Sequence, residues 1–526
     1  MKMVKSLILG SAAGLVAMSG AQAADLPVKA KAVEYVRICS LYGAGFFYIP
    51  GTDTCIKLGG YLRADTSFNA SGAYDSPAWA GAAGQGNRLR NSFIARSRQD
   101  INIDTRTATE YGVVRTFFDA TFNWTTGDAI AGGTVGVYYA FIQFAGFTIG
   151  KAVSQFDSPW TGYPGNNSSF LLGGHDDVTG INQLAYTAQF GNGVSGSISL
   201  EDPSAYNQSA LYNVSSGASG VFANVGGVPT SVGAGTLATQ AFTAGVPGLN
   251  SYGGVVAPDI VGQIRVDQAW GLFQASVAAH NVHASYYGGS PTLSEANGHP
   301  SDVWGWAGQL ALSIKNIPTG AGDSINFTAG YANGASRYVL GGVSPNSFAM
   351  FGSTNVPGAY QSLAFASAGD GVYAGTNGLL PTATSISKSN VWGVRGAFNH
   401  NWDPYWSTSV YGAYTAFSWG TTGGAQICNG IGVSNIVGGA AGFTCNPDFN
   451  IAQIGTVTRW TPVKNLTFSG EVLYTYLDQK NAGVITPAGA APVNNNLIGA
   501  TKPAGASYEL KDQGTWTFGV RAQRTF

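Results

Sequence analysis

The sequence predicts an all-β fold, a transmembrane antiparallel β-barrel of about sixteen strands with short periplasmic turns and long extracellular loops. Three observations support this prediction: period-2 alternation recurs along the chain, the connections alternate between short and long, and one strand carries ions on a single face. The composition agrees, because 75 Gly, 27 Phe and 25 Tyr accompany only 10% charged residues.

The N-terminus has the features of a secretory signal peptide. Lys2 and Lys5 precede an apolar stretch at 7–18, and Ala21-Gln22-Ala23 provides an A-x-A cleavage site. A membrane anchor is the alternative, but the apolar stretch is too short to span a bilayer. The expected organisation is a signal peptide at 1–23, an N-terminal periplasmic segment at 24–54 and a barrel at 55–526.

Sixteen segments alternate apolar and polar residues as strands do. They are 56–65, 93–106, 111–122, 136–145, 147–152, 183–190, 194–201, 259–267, 270–281, 303–316, 324–333, 390–402, 405–417, 449–461, 465–477 and 514–526. Gly191-Asn192-Gly193 predicts a tight hairpin, and Asp403-Pro404 and Pro462 predict two further turns.

The connections alternate in length along the chain. The long ones lie near 67–92, 123–135, 153–182, 202–258, 282–302, 334–389, 418–448 and 478–513. An up-and-down membrane barrel has this rhythm, whereas a Greek-key sandwich has no reason to alternate and a solenoid would need a fixed repeat.

The segment IARSRQDINIDTR at 94–106 carries its charges at even positions only, at Arg96, Arg98, Asp100, Asp104 and Arg106. An Arg or Lys facing lipid near the midplane costs about 2–4 kcal/mol, so the even face should point into the lumen. A solvated face of a soluble sheet is the alternative, but it leaves the signal peptide and the alternating loops to be explained separately.

Two features of the opposite, lipid-facing side are less regular. Ser97 and Gln99 are only neutral, which suggests that this strand also contacts another subunit. Lys151 shares its parity with Phe147 and Ile149; either a bulge near Gly150 re-aims it or it lies above the membrane.

The four cysteines, Cys39, Cys55, Cys428 and Cys445, suggest disulfides in an exported chain. Three pairings are possible, and proximity in the sequence favours Cys39–Cys55 and Cys428–Cys445. A metal site is not expected, because the chain has no Cys-x-x-Cys and its five His are scattered. The formal net charge of −1 gives no indication of a nucleic-acid partner.

Three stretches resemble the alphaproteobacterial porin family. They are VEYVRICSLYGAGFFYIPGTDTCIKLGGYLR near the expected mature N-terminus, AFIQFAGFTIGKAVSQFD at 140–157, and the C-terminal RAQRTF. The resemblance implies a sixteen-stranded, usually trimeric barrel in the bacterial outer membrane. It also implies that the loop after the fifth strand, at 153–182, folds into the lumen and narrows it.

The resemblance also assigns site residues. The expected constriction-loop residues are Asp157, His175, Asp176 and Asp177. The family places basic wall residues opposite this loop, and strand parity matches them to Lys57, Arg63, Arg96, Arg98, Arg106 and Arg115. The acidic residues on the same predicted faces are Asp65, Asp100, Asp104 and Asp119. Phe526 resembles the terminal aromatic residue by which such barrels are recognised for assembly.

The expected function is a water-filled channel for passive diffusion of small hydrophilic solutes and ions, which needs no cofactor. The alternatives are a substrate-preferring channel, or a receptor or adhesin that acts through the long loops of the same barrel. An enzyme is not expected, since the sequence offers no nucleophile next to a suitable His. Gly191 to Gly196 fits G-x-G-x-x-G but lies at a hairpin, so it does not predict a dinucleotide site.

Overall fold

A computed structural model describes the larger part of the protein. The described residues are 37–70, 75–160, 163–175, 179–214, 221–225, 228–232, 250–287, 295–341, 344–375, 383–433, 443–486, 502–503 and 506–526. The predicted signal peptide lies outside them, as do Asp176 and Asp177 of the expected constriction loop.

Sixteen antiparallel strands form a closed barrel, as predicted. They are β1 (Thr54–Phe68), β2 (Phe93–Thr109), β3 (Gly112–Thr125), β4 (Thr134–Phe144), β5 (Phe147–Ala152), β6 (Ile181–Gly191), β7 (Val194–Glu201), β8 (Asp259–Gln268), β9 (Gly271–Val282), β10 (Val303–Lys315), β11 (Ser324–Asn333), β12 (Asn390–Asn401), β13 (Trp406–Ser418), β14 (Phe449–Val463), β15 (Leu466–Gln479) and β16 (Gln513–Thr525). The first strand pairs with the last, from Tyr61 opposite Thr525 to Phe68 opposite Phe518, which closes the sheet.

The short turns all lie at one end of the barrel and the long loops at the other. The hairpin at Gly191-Asn192-Gly193 is confirmed, with all three residues at positive φ. One predicted boundary is wrong: β14 continues through Pro462 to Val463, because the strand tolerates an irregular register there, and Lys464 and Asn465 make the turn.

Side chains alternate along each strand between an exposed, mostly apolar side and a buried or half-buried, mostly polar side. On β9, for example, Phe273 and Val277 are exposed whereas Gln274, Ser276 and His280 are buried. In a closed barrel these sides are the outer and the inner surface, and this alternation is typical of strands between lipid and an interior.

The long loops contain structure that the sequence did not predict. Outside the barrel strands, the described elements are the strands Phe47–Tyr48, Leu211–Asn213, Val221–Val225, Val228–Val232, Ser347–Gly352, Ala359–Ser367, Gly371–Tyr373, Ser387–Lys388, Val484–Ile485 and Ser507–Leu510, the helices Gly81–Gly84, Arg337–Leu340 and Gly420–Val433, and the 3-10 turns Ser40–Tyr42 and Glu295–Asn297. Among the described residues, no helix is both long and apolar enough to cross a membrane.

An apolar core joins these loops to the inner surface of the barrel. Loop residues such as Trp79, Tyr338 and Phe348 pack with inward residues of β13 and β14, including Phe417 and Phe449. The loops therefore fold as one body against part of the barrel wall.

Two disulfides form as proximity in the sequence favours. Cys39–Cys55 ties the N-terminal segment to β1, and Cys428–Cys445 ties the helix Gly420–Val433 to the residues before β14. The two-residue strand Phe47–Tyr48 pairs with the first residues of β1. The expected N-terminal segment is thus fastened to the short-turn end of the barrel.

Candidate functional site

The loop after β5 contacts the polar side of strands around much of the barrel. The Gln274 amide on β9 donates to the carbonyl of Asp157 at 2.7 Å, and Gln453 on β14 donates to the carbonyl of Phe170 at 2.9 Å. On β16, Arg521 donates to the carbonyl of Asn167 at 3.3 Å. Contacts with the polar sides of such distant strands place this loop within the barrel.

Buried side chains of the wall satisfy the backbone of the loop. Arg395 on β12 is 1% exposed, and its guanidinium donates to the carbonyls of Leu171 at 3.2 Å and His175 at 2.6 Å. Arg459 on β14 donates to the carbonyl of Gly165 at 2.7 Å. Because a buried carbonyl without a partner is costly, these cations hold the loop in one position.

At the seam between the last and first strands, Asp65 joins two arginines. Arg96 approaches one oxygen of its carboxylate at 2.8 Å and Arg521 the other at 2.6 Å. Asp65 and Arg96 are both buried, and Arg521 also reaches the loop. This cluster links the first, second and last strands across the seam where the barrel closes.

A second ionic cluster lies nearer the short turns. Asp104 on β2 pairs with Arg106 at 2.9 Å and with Arg115 on β3 at 3.0 Å. The side chains of Arg106 and Arg115 are 30% and 27% exposed, so part of this cluster remains open. Arg115 also donates to Gln143 on β4 at 2.9 Å.

Arg63 and Arg98 occupy directly opposite positions on β1 and β2. Arg63 donates to Gln523 at 2.9 Å and Arg98 to Asn123 at 2.5 Å. The other predicted wall residues lie on the same polar side, with Asp100 and Asp119 buried and Lys57 exposed. The structure therefore brings all ten predicted wall residues onto the inner sides of β1, β2 and β3. We call this surface the ionic wall.

The N-terminal segment covers the short-turn end of this wall. The ring of Phe46 lies 4.9 Å from the guanidinium carbon of Arg106 and 5.9 Å from the ammonium of Lys57. These contacts place a disulfide-closed aromatic segment beside two of the predicted wall cations.

Asp157 does not face the basic wall as the family pattern suggested. Its carboxylate and the Nδ1 atom of His175 form a fully buried ion pair, and Nε2 of His175 lies 2.8 Å from the amide oxygen of Asn207. Burial lowers the pKa of His175, but the Asp157 carboxylate outweighs it and raises the pKa above its ordinary value. The pair joins the two ends of the loop rather than lining an opening.

Lys151 keeps the outward parity of Phe147 and Ile149. The pairing of β5 with both neighbours runs through Gly150 without a shift of register, so the bulge interpretation is wrong. Its ammonium donates to the carbonyl of Val137 at 2.5 Å, close to the loop end of the barrel.

Three residues that hold the loop were not among the predicted site residues. Arg395, Arg459 and Glu471 lie on β12, β14 and β15, and Glu471 accepts from the backbone N–H of Asn167 at 2.7 Å. Alternation in the sequence places Arg395 and Glu471 on the polar side. Only the tertiary contacts reveal that they anchor the loop.

A closed sixteen-stranded barrel with an apolar exterior, a charged inner wall and a loop folded inside it defines a porin-type outer-membrane barrel. The chain belongs to the family described as the Porin subfamily, whose model matches residues 25–518. Membership of this family places the protein in the bacterial outer membrane.

Relatives and solved structures agree with this assignment. The chain is 39% identical over 211 residues to Porin Omp2b of Brucella suis biovar 1 and of Brucella canis. The match covers 38% of this chain and 54% of each relative, so the chain spans about half the length of the curated relatives it matches. The outer membrane channel DcaP of Acinetobacter baumannii has the same fold, with a TM-score of 0.55, 13% identity, and coverage of 91% of this chain and 99% of that one.

Proposed function

We propose that the protein is a channel for passive diffusion of small hydrophilic solutes and ions. The observation that carries this proposal is the partial exposure of Arg106 on β2 and Arg115 on β3. By contrast, most inward side chains of β9 to β15 are buried beneath loops. Water and solutes then cross along the ionic wall, between β1–β3 and the loop folded inside.

The loop at 153–182 is the proposed constriction. Arg395, Arg459 and Gln453 hold it against β12 and β14, and Arg521 on β16 also donates to it. Asp176 and Asp177, which lie outside the described residues, belong to this proposed constriction by sequence. Basic wall residues and loop carboxylates would then produce a field across the opening that orients dipolar solutes.

The inner sides of β1, β2, β3 and β16 carry three more bases than acids. The bases are Lys57, Arg63, Arg96, Arg98, Arg106, Arg115 and Arg521, and the acids are Asp65, Asp100, Asp104 and Asp119. We therefore infer a modest preference for anions along this path.

A homotrimer is the proposed assembly. The outer side of β2 carries the neutral residues Ser97 and Gln99 in place of apolar ones, which suits contact with a protein neighbour better than contact with lipid. Crosslinking of the native membrane, followed by mass measurement, tests this assembly; a purely monomeric product would reject it.

Planar-bilayer recording tests the channel itself. Purified protein should give stepwise, ohmic conductance, with a reversal potential in a salt gradient that indicates anion preference. Folded barrels that give no conductance at high protein dose would reject the proposal and favour a loop-based receptor on the same barrel.

A further inference from the structure

A groove runs across the outer surface of the barrel where its last strands meet its first. It has a volume of about 560 Å³, within the range of roughly 300–1,000 Å³ found for small-ligand sites. Its lining is mostly apolar and belongs to β1, β13, β14, β15 and β16. Such a depression departs from the otherwise convex outer surface of a barrel.

The strand register explains why the groove exists. Ala64, Ala522, Phe468, Trp460 and Trp406 form one continuous row of cross-strand neighbours. The two alanines leave space at one end of this row, and the three aromatic rings stand beside it at the other. In the next row, Gly470 leaves a further gap.

The aromatic side of the groove is a stacked wall. The rings of Trp406 and Trp460 lie 5.8 Å apart at an angle of 20°, and Trp460 lies 5.6 Å from Phe468. All three side chains are exposed and lie near the short-turn ends of their strands. Trp side chains at this depth are typical of the boundary between acyl chains and headgroups.

Two basic residues, Arg524 and Lys464, lie at the short-turn end of the groove. Arg524 follows Ala522 by two residues and therefore lies on the same side of β16, about 7 Å further along the strand. One of its nitrogens donates to the carbonyl of Lys464, which brings the turn before β15 next to it. Within the described part of the chain, neither cation forms an ion pair with a carboxylate.

We propose that this groove is a binding site for an anionic phospholipid of the periplasmic leaflet. The floor of small residues takes an acyl chain beside the aromatic wall, and Arg524 with Lys464 takes the phosphate. Guanidinium groups bind phosphate oxygens in a bidentate manner, and an ammonium adds a point charge. The site needs only the location of the barrel in the membrane and is independent of channel activity.

Native mass spectrometry of the full protein in mild detergent tests the proposal. Delipidated protein is titrated with phosphatidylglycerol or with zwitterionic phosphatidylcholine, and the bound lipids are counted. The wild type should retain at least one phosphatidylglycerol in preference to phosphatidylcholine. Arg524→Gln should weaken retention by about tenfold, since it removes a charge-assisted hydrogen bond, and Arg524→Lys should restore part of it.

A second variant tests the groove without touching the charge. A side chain at Gly470 would meet no atom within 4 Å, so Gly470→Leu should fill the groove without displacing the backbone. It should reduce lipid retention to a similar extent as Arg524→Gln. Gly308→Leu is the matched control on β10: its nearest atoms lie 3.8 and 3.9 Å away, and it should leave retention unchanged.

Four results would overturn the proposal. Equal retention of both lipids would show that the cations do not recognise phosphate, and unchanged retention in both Gly470→Leu and Arg524→Gln would place the lipid elsewhere. A change of oligomeric state in Gly470→Leu with retention intact would show that the groove belongs to a contact between copies of this chain. Binding of inorganic phosphate to protein that retains no lipid would show that an ion, not a lipid, occupies the rim.

Discussion

Strands β1 to β3 and strands β9 to β15 belong to the same barrel, yet their inner surfaces differ. The first part carries the paired charges of Asp65, Asp104 and their arginines, with some side chains partly exposed. The second, which we call the covered wall, carries mostly neutral or apolar side chains, such as Gln274 and Thr415, and the loops bury them. The comparison shows that alternation along a strand fixes which side is polar, but not whether that side meets water or protein.

The cations of the two parts also differ in their partners. On the ionic wall, arginines mainly meet carboxylates; on the covered wall, Arg395 meets backbone carbonyls of the loop. Substitution should therefore change ion preference on one side and loop position on the other.

The largest effect is expected from Arg395→Ala. The variant removes two hydrogen bonds from a buried cation, each worth about 1.5–3 kcal/mol, so the loop should leave its place against the wall. Single-channel recordings should show larger and noisier conductance. Arg265→Ala is the control, because its pair with Asp267 is partly exposed and contributes only about 0–1 kcal/mol. Quiet, unchanged conductance in Arg395→Ala would mean that the loop does not depend on this anchor.

The next effect concerns ion preference. Replacing Arg63, Arg98 and Arg106 together by Ser should move the reversal potential toward cations, with a change of about twofold to threefold in the permeability ratio. Replacing Gln274 by Ser on the covered wall should not move it. If both changes shift the reversal potential equally, ions do not distinguish the two walls.

The disulfides give a smaller contrast. Replacing Cys428 and Cys445 by Ser frees a loop closed over 17 residues, worth about 3 kcal/mol in the chain-entropy model, and should speed proteolysis of the covering loops. Replacing Cys39 and Cys55 should instead alter conductance, because that segment lies against Arg106 and Lys57. If removal of either disulfide had the same effect on proteolysis and on conductance, the two disulfides would not serve different parts of the barrel.

The smallest effect is a pH dependence of the buried pair in the loop. Since the pKa of His175 is raised in the folded protein, the pair contributes fully below the ordinary pKa of about 6.5 and is lost as pH rises through the raised value. Open-channel noise should therefore increase toward alkaline pH and lose this dependence in His175→Gln. Noise with the same pH dependence in both proteins would assign it to other groups.

The strand pattern could be predicted because membrane barrels impose one rule on every strand. Charges at even positions from Arg96 to Arg106 fixed the inner side of β2, and cysteine spacing favoured both disulfides. The covered wall could not be predicted, since it depends on loops that meet residues hundreds of positions away, as Leu172 meets Gln453. For the same reason, the sequence did not show that Asp157 turns toward His175.

Single cysteines probed with a water-soluble thiol reagent test the central claim most directly. The described cysteines are all in disulfides, so introduced thiols would report on their own positions. Reagent should reduce conductance when the cysteine replaces Arg106 or Arg115, and should have no effect at Gln274 or Thr415. Block by the reagent at positions 274 and 415, with none at positions 106 and 115, would contradict a water path along the ionic wall.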